Sequence, residues 1–278
     1  MTKQFRISHD GPVATLTLSS PEKRNAMEAP FWEDLPEAVR ALDQSGETRV
    51  LVVASEGPHF SAGIDLSVLA SSTPKDLGAS GGIDFYHTVK RMQDTFTCLE
   101  KARMPVIAAI QGGCFGAGVD LVTACDLRVC AQDSFFTIYE IVVGMTADVG
   151  TFPRIVNLLP EAIVRELSYT GRRLSAEEAH KYGFVNRVAA DAQATLASAY
   201  ELAHEIASKA PMAVAGCKDI ITYSRDHTTD EALDRIALWN AFMLHESEVM
   251  AAMTAKQTGE PGNFTPLPPL RSVDGRKL

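Results

Sequence analysis

Apolar and polar residues alternate at the start of the chain and then change to a helical spacing. Two short runs, residues 5–9 and 13–18, flank Asp10-Gly11-Pro12 and predict a hairpin closed by a turn. Apolar residues over 31–42 then recur at intervals of three and four, which predicts an amphipathic helix. The chain is therefore expected to begin with two strands and a helix.

Two later runs, residues 50–54 and 106–110, are continuously apolar and rich in β-branched side chains. Such runs are typical of strands buried on both faces of a parallel sheet. A further short strand is predicted over residues 126–131. Strands that alternate with helices in this order indicate an α/β fold.

The rest of the chain predicts one loop and several helices. Residues 71–82, SSTPKDLGASGG, are polar and glycine-rich, which predicts a loop able to move over a site. The segment SAEEAHKYG, residues 175–183, has the Ser-x-x-Glu start of a capping box and a glycine stop. Longer helices are predicted over residues 192–210, 213–223 and 231–256, before a proline-rich tail.

Composition is that of an ordinary globular protein with an acidic balance. Of the 278 residues, 46% are hydrophobic and 22% are charged, which allows a sizeable core. Against 35 Asp+Glu there are 26 Lys+Arg, and the net charge of -9 argues against nucleic acid and anionic membranes as partners. No apolar run approaches membrane-spanning length. An anionic ligand would have to be held by local groups.

The cysteines and the chain ends bear on cellular location. The five cysteines form no C-x-x-C pair, and their odd number leaves one unpaired in any disulfide scheme, which fits a reducing cytosol. The chain enters a strand pattern at once, without a signal core or an Arg/Ser-rich transit segment. The final GRKL has Arg276 where a peroxisomal S-K-L ending has a small residue. A cytosolic protein is therefore predicted.

Three acidic residues lie in stretches that are otherwise almost uncharged: Asp120 in GGCFGAGVDL, Glu140 in FFTIYEIVVG and Asp148 in MTADVGTFPR. A carboxylate among apolar residues costs free energy unless something uses it, so all three are candidate catalytic residues. Each also has a structural alternative, as a helix-surface acid (Asp120), an exposed strand or loop acid (Glu140) or the N-cap of the following helix (Asp148). The pattern alone leaves these alternatives open.

Two glycine-bearing turns follow predicted strands, HFSAGIDL at residues 59–66 and IQGGCFGAGVDL at residues 110–121. Free amides and helix N-termini at such turns attract developing negative charge. Two turns facing one point would form an oxyanion hole, although each taken singly is more often a simple turn. A dinucleotide site is not expected, because the G-x-G-x-x-G order is missing.

Other reactive side chains lack a recognisable pattern. The seven histidines have no metal-ligand spacing and no H-E-x-x-H occurs, so no metal site is predicted. Cys114 has no histidine partner in a nucleophile pattern and is predicted to be a packing residue. Arg154 is predicted to anchor the helix that follows Gly150.

Together these motifs resemble the enoyl-CoA hydratase/isomerase (crotonase) family. HFSAGIDL and PVIAAIQGGCFGAGVDLVTACDLRVCAQDSFF stand in the family's order, with PEKRNAM before them and TGRRLSAEEAHKYGFVNRV after them. Within the family, GVDLVTACD and then YEIVVGMTADVGTFPR are similar to the Δ3,5-Δ2,4-dienoyl-CoA isomerases. The likeness extends from about residue 5 to the last long helix.

The resemblance implies an α/β crotonase-like fold with a ββα superhelical core for acyl-CoA binding and catalysis over residues 1–195. It further implies a helical C-terminal oligomerisation region over residues 196–257, before a proline-rich tail over 258–278. A homotrimer, or a homohexamer of two trimers, is expected. The substrate would be an acyl-CoA thioester, and no cofactor is implied because coenzyme A is part of that substrate.

The resemblance also assigns binding roles. The backbone N–H groups of Ile64 and Ala117 would form the oxyanion hole that holds the thioester oxygen. Arg24 would contact a phosphate. The remaining residues predicted to contact the substrate or its CoA portion are Ala26, Ala62, Gly63, Asp65, Leu66, Gly116 and Gly118. For Asp65 the alternative is an N-cap of a helix that begins at Leu66.

The acids distinguish reactions within the family. Hydratases use two glutamates, corresponding to Asp120 and Glu140, and typically have glycine where Asp148 stands, whereas dienoyl isomerases have aspartate. The resemblance therefore implies isomerisation of 3,5-dienoyl-CoA to 2,4-dienoyl-CoA in fatty-acid β-oxidation. Asp148 would be the base at C2 and Glu140 the acid at C6, with Asp120 as a third, polarising carboxylate. The alternatives are an enoyl-CoA hydratase, a Δ3-Δ2-enoyl-CoA isomerase and a non-catalytic binding protein of the same fold.

Overall fold

A computed structural model describes residues 4–72 and 78–271, and its elements alternate between strand and helix. The strands are β1 (Phe5–Asp10), β2 (Val13–Leu18), β3 (Val50–Ser55), β4 (Val106–Ile110), β5 (Gly113–Phe115), β6 (Leu127–Ala131), β7 (Phe135–Thr137), β8 (Leu174–Ser175) and β9 (Arg187–Ala189). The helices are α1 (Ala29–Ser45), α2 (Leu66–Ser72), α3 (Ala79–Lys101), α4 (Ala117–Ala124), α5 (Thr151–Ile155), α6 (Glu161–Thr170), α7 (Ala176–Lys181), α8 (Ala192–Ala207), α9 (Pro211–Tyr223), α10 (Thr229–Met243) and α11 (Glu246–Thr258). Two 3₁₀ turns span Pro21–Lys23 and Tyr139–Val143.

The larger sheet has six strands in the order β1-β2-β3-β4-β6-β9. β1 and β2 form the predicted antiparallel hairpin, and the other neighbours are parallel. A smaller sheet has the order β5-β7-β8. Because parallel strands end at the same edge, the segments after β3, β4 and β6 are brought together there, where open α/β sheets bind ligands.

The central strands β3 and β4 of the larger sheet are buried on both faces, as their continuous apolar runs predict, whereas β1 at its edge is largely exposed. In β3, Leu51 and Val53 belong to one buried cluster, which includes residues of α1 and α3. Val50 and Val52 point to the opposite face and pack with α8. This alternation is the two-residue period of a strand. Burial on both faces explains why β3 and β4 carry almost no polar residues, and the parallel sheet between helices confirms the α/β prediction.

Locally specified elements agree with prediction. The helix predicted over residues 31–42 is α1, three residues longer at its C-terminal end. The predicted capping box is present at α7, where Ser175 accepts from the Glu178 N–H and the Glu178 side chain accepts from the Ser175 N–H. None of the described helices combines the length and the apolar character that a bilayer crossing requires.

The structure differs from the prediction in two places. The predicted loop over residues 71–82 is helical at both ends, since α2 reaches Ser72 and α3 begins at Ala79; its middle, residues 73–77, lies outside the described residues. Glycine has a weak helix propensity, which favours a loop in the sequence pattern, whereas α3 continues through Gly81 and Gly82. The single helix predicted over residues 231–256 is broken, because Leu244 and His245 have extended backbones that interrupt the i to i+4 hydrogen bonds.

The C-terminal part of the chain is joined closely to the core. The predicted boundary at residues 195/196 falls inside α8, which packs on the larger sheet. In α9, the buried Lys218 ammonium donates to the carbonyl oxygens of Leu99 (2.9 Å) and Met104 (3.0 Å) and pairs with Asp126 at 2.8 Å. The described tail also docks, with Leu267 buried. The GRKL ending lies outside the described residues.

Candidate active site

A cavity of about 540 Å³ opens beside the segments that follow β3, β4 and β7. Its walls come from the turn before α1, from parts of α1 to α4 and from the segment between β7 and α5. Most of the residues predicted for the site line this one cavity. They are Arg24, Ala26, Ala62, Ile64, Asp65, Leu66, Gly116, Ala117, Asp120, Glu140 and Asp148.

The turn that carries Arg24 is held in place by a buried asparagine. Arg24 and Asn25 both have a φ of 53°, in the left-handed region that residues other than glycine rarely adopt. The Asn25 side-chain amide donates to the carbonyl oxygens of Glu56 (2.9 Å) and His59 (3.1 Å). The Arg24 carbonyl accepts from the Ala62 N–H at 2.8 Å. The exposed Arg24 guanidinium is thereby placed at the cavity by a rigid turn.

The two glycine-bearing turns meet at the cavity. The Phe115 N–H donates to the Ser61 carbonyl at 3.0 Å, which ties one turn to the other. The amides of Ile64 and Ala117 donate to no other group within residues 4–72 and 78–271. Two free N–H groups on adjoining turns are the arrangement that can bind a developing oxyanion.

Gly63 and Gly118 do not line the cavity, in disagreement with their predicted contact with the substrate. Gly63 has a φ of 85°, and a Cβ there would lie 2.7 Å from the Phe115 carbonyl oxygen and 3.2 Å from the Ala117 nitrogen. A Cβ on Gly118 would lie 3.3 Å from the Cys114 sulfur. Both glycines instead allow the two turns to approach closely.

Asp65 caps a helix, as its structural alternative predicts. Its Oδ1 accepts from the Ser67 N–H at 2.8 Å, at the start of α2, and also from the Ser67 hydroxyl. These hydrogen bonds lower the pKa of Asp65. Leu66 follows with its side chain 75% exposed at the edge of the cavity. The Asp65 carboxylate is therefore occupied by the protein itself.

Asp120 lies in the first turn of α4 and is only 1% exposed, so it is not a helix-surface acid. Its Oδ1 accepts from the backbone N–H of Thr151 at 2.6 Å and from the Thr151 hydroxyl at 2.8 Å. Burial raises the pKa of Asp120 to about 6, although these hydrogen bonds oppose the rise. The carboxyl group is thus buried but held by two donors.

Glu140 lies in the 3₁₀ turn Tyr139–Val143, and its carboxyl group points into the cavity rather than to solvent. Its Oε2 is buried and has no hydrogen-bond partner in the described part of the chain. A Cβ on Gly116, which has a φ of 49°, would lie 3.2 Å from Oε1. Burial raises the pKa of Glu140 to about 7, with contributions from the charges of Asp120 and then Asp148. A substantial fraction of Glu140 is therefore protonated near neutral pH, where an ordinary glutamate is ionised.

Asp148 is half-buried, and burial raises its pKa. Its main-chain oxygen accepts from the Gln93 side-chain amide at 2.8 Å, which ties this segment to α3. It does not cap the following helix, because the N-cap of α5 is Gly150, with no side-chain cap, and the Thr151 amide is taken by Asp120. The three acids thus converge on one cavity from three segments.

The sequence matches the enoyl-CoA hydratase/isomerase family over residues 8–257. The chain belongs to this family. The mitochondrial Δ3,5-Δ2,4-dienoyl-CoA isomerase of Mus musculus is 43% identical over 87% of this chain and 76% of its own length. The peroxisomal one of Arabidopsis thaliana is 36% identical over 95% and 96%. The crystal structure of an enoyl-CoA hydratase from Polaromonas sp. JS666 aligns with a TM-score of 0.84 at 28% identity, over 94% of this chain and 99% of that one.

These similarities confirm the predicted family and fold, and they identify this crotonase-family chain as an enzyme. They also show that the predicted cytosolic location is wrong. The dienoyl-CoA isomerases similar to it are named mitochondrial in mouse and human and peroxisomal in Arabidopsis thaliana. Unpaired cysteines indicate only that thiols stay reduced, and this condition does not single out one compartment.

One wall of the cavity consists of residues that the sequence analysis did not predict. It is apolar and consists mainly of Trp32, Leu69, Phe85, Val89 and Met92, from α1, α2 and α3. Phe85, Val89 and Met92 lie at helical spacing, which is a usable signal, but the glycine-rich start of α3 favoured a loop. On the other side, Val143, Met145 and Val149 supply apolar neighbours for the acids.

Two further predictions are confirmed outside the cavity. Arg154 donates to Glu100 at 3.2 Å and to the Thr97 hydroxyl at 2.9 Å, so it anchors α5 to α3. Cys114 is fully buried, and burial raises the pKa of its thiol, as expected of a packing residue. Among the described residues, no group of three His, Cys, Asp or Glu side chains could hold a metal ion.

Proposed function

We propose that this acyl-CoA isomerase converts a 3,5-dienoyl-CoA into the 2,4-dienoyl-CoA in fatty-acid β-oxidation. The observation that carries the proposal is the third carboxyl group, because Asp148 lines the same cavity as Asp120 and Glu140. A shift of the diene removes a proton at C2 and adds one at C6, too far apart for one carboxyl group to serve easily. The 41–43% identity to mouse and human Δ3,5-Δ2,4-dienoyl-CoA isomerases supports the same reaction.

The two proton transfers are assigned to the acids with different environments. Asp148, half-buried, takes the C2 proton as its carboxylate, and the electron pair of that C–H bond spreads over the diene and the thioester oxygen. Glu140, whose pKa is raised to about 7 by burial and the neighbouring carboxylates, gives its proton to C6. The product gains the double bonds C2=C3 and C4=C5. Asp148 then releases its proton and Glu140 takes one up, by way of solvent, which returns both groups to their starting states.

Main-chain donors would stabilise the intermediate dienolate. Its negative charge develops on the thioester oxygen, where the free amides of Ile64 and Ala117 act as the oxyanion hole. The guanidinium of Arg24 would bind a phosphate of the CoA portion, and Ala26, Ala62, Leu66 and Gly116 would line its path. The apolar wall formed by α2 and α3 would accommodate the hydrocarbon end of the substrate.

The assay offers a 3,5-dienoyl-CoA and a 2-enoyl-CoA separately. Growth of the absorbance of the conjugated 2,4-dienoyl thioester supports the isomerase. Hydration of the 2-enoyl-CoA without isomerisation of the diene would favour the second candidate, an enoyl-CoA hydratase that uses Asp120 and Glu140. That candidate is supported by the similarity to the Polaromonas enoyl-CoA hydratase. Conversion of a 3-enoyl-CoA alone would instead indicate a Δ3-Δ2 isomerase.

We further propose the predicted division of roles along the chain. Every cavity-lining residue lies within residues 1–195, which supports this part as the catalytic core. Within residues 196–257, α10 and α11 expose large apolar side chains such as Leu238 (61%) and Phe242 (71%), which supports a homotrimer or homohexamer. Light scattering of the wild type and of Phe242→Asp tests this: dissociation is expected, and a monomeric wild type contradicts it.

A further inference from the structure

Asp120 is held by one residue that the reaction described above does not use. Thr151, the first residue of α5, donates both its N–H and its hydroxyl to the same oxygen of Asp120, at 2.6 Å and 2.8 Å. Both residues are 1% exposed, so water has little access to replace either bond. Thr151 is not among the residues that line the cavity, and it has no contact to offer a substrate.

Two donors on one oxygen favour the ionised form of Asp120, because hydrogen bonds to a carboxylate are stronger than those to a neutral acid. Burial and the charge of Asp148 act in the opposite direction, while Arg154 of α5 supports ionisation. The other titratable groups that interact with Asp120 are Glu140 and the neutral thiol of Cys114. Thr151 is therefore the strongest influence that opposes protonation of this carboxyl group.

The charge of Asp120 bears directly on Glu140. After burial, it contributes most to the raised pKa of Glu140, ahead of Asp148. The buried Oε2 of Glu140 has no hydrogen-bond partner in the described part of the chain, and the backbone N–H groups of Glu140 and Tyr139 lower the pKa of this carboxyl group by less than burial and the charge of Asp120 raise it. Because the charge of Asp120 raises the pKa of Glu140, a single proton resides on Glu140 as long as Asp120 is the better-stabilised anion, and Thr151 donates the two hydrogen bonds that stabilise it.

We propose that Thr151 is a positioning residue that keeps Asp120 ionised and thereby keeps on Glu140 the proton that the reaction delivers to C6. The inference rests on the proposed isomerase function, in which Glu140 is the acid. Without the Thr151 hydroxyl, the shared proton moves towards Asp120. Glu140 is then ionised at neutral pH and cannot protonate the dienolate.

The test compares Thr151→Val, which removes the hydroxyl and keeps shape and backbone, with Thr151→Ser, which keeps both donors. Infrared difference spectroscopy of the substrate-free protein, from about pH 5 to about pH 9, follows each buried carboxyl group. Asp120→Asn and Glu140→Gln assign the bands. In Thr151→Val the midpoint of Asp120 should rise and that of Glu140 should fall, each by about one pH unit, while Thr151→Ser resembles the wild type.

A shift of the Asp120 and Glu140 midpoints in opposite directions is the result that supports the proposal. A cavity that merely loosens admits water to both acids and lowers both midpoints, and this result, or two unchanged midpoints, overturns the inference. In the Asp120→Asn background, Thr151→Val should leave the Glu140 midpoint where it is; a further shift would show that Thr151 does not act through Asp120. These titrations need no substrate, so they stand even if the isomerase assay fails.

The kinetic counterpart is measured only if the wild type isomerises the diene. The alkaline limb of kcat/KM should move to lower pH in Thr151→Val, which lowers the rate about tenfold above the wild-type midpoint. KM should remain within about twofold, because Thr151 does not line the cavity. A uniform loss at every pH would overturn the proposal.

Discussion

Replacing Asp148 by asparagine tests the division of labour between the acids. The amide has nearly the same shape as the carboxylate but cannot accept a proton from C2. Asp148 lines the cavity, and its carboxylate forms no hydrogen bond with another side chain among the described residues. We therefore expect chemistry to be lost while the fold and the binding of the CoA ester are kept.

The expected loss of rate follows from the role of Asp148 as a general base. A positioned general base contributes about 10² to 10⁴ in rate, so kcat should fall by that factor. Binding should change by less than about threefold, because the oxyanion amides of Ile64 and Ala117 and the Arg24 side chain are untouched. Stability should change by no more than about 1 kcal/mol, because Asp148 is half-buried and its one cross-segment hydrogen bond uses the main-chain oxygen.

The assay measures isomerisation of a 3,5-dienoyl-CoA by absorbance and binding of a non-isomerisable acyl-CoA by calorimetry. Asp133→Asn is the matched control, because it makes the same change of charge at an exposed position outside the cavity. It should behave as the wild type. Wild-type turnover by Asp148→Asn would refute the assignment of the base, and loss of binding together with turnover would indicate a structural role instead.

Three other outcomes are expected. The kcat/KM for isomerisation should fall as pH rises through about 7, because Glu140 is active when protonated and its pKa is raised to about 7. A kcat/KM that keeps rising to about pH 9 would contradict this role. Gly116→Ala should lower kcat by at least about tenfold, because the new Cβ would lie 3.2 Å from Glu140 Oε1, and the φ of 49° at this position should lower the free energy of unfolding by about 1–2 kcal/mol. Unchanged kinetics would show that Glu140 moves freely. Lys218→Met should lower the free energy of unfolding, measured in urea, by about 3 kcal/mol, because Asp126 and two carbonyl groups lose a buried partner. A loss below about 1 kcal/mol would show that water replaces the ammonium group.

Elements with local causes were predictable. The hairpin of β1 and β2 needs only Gly11 between two alternating runs, and the capping box of α7 is formed by Ser175 and Glu178, three residues apart. The strands β3 and β4 are recognisable because burial on both faces excludes polar side chains. For the hairpin and the capping box the physical cause lies within a few residues of the element, whereas for β3 and β4 distant helices cover the strand and its composition reflects this burial.

The misassigned elements depend on distant partners. The start of α3 is rich in glycine and largely exposed, and it belongs to a helix whose later residues Thr95 and Phe96 contact α1. The break at Leu244 and His245 carries no glycine or proline, so the pattern on either side reads as one helix. Gly63 and Gly118 were assigned to the substrate by resemblance, whereas the close approach of two turns explains them.

By itself, the sequence determined the α/β alternation, the family and the identity of three acids in apolar surroundings. Only the tertiary structure decided what those acids share. Asp120 meets Thr151, 31 residues away, Glu140 lies against Gly116, and Asp148 joins them in one cavity. The free energy of a carboxyl group depends on burial and on neighbouring charges within a few ångströms, and these neighbours come from segments that are far apart in the chain.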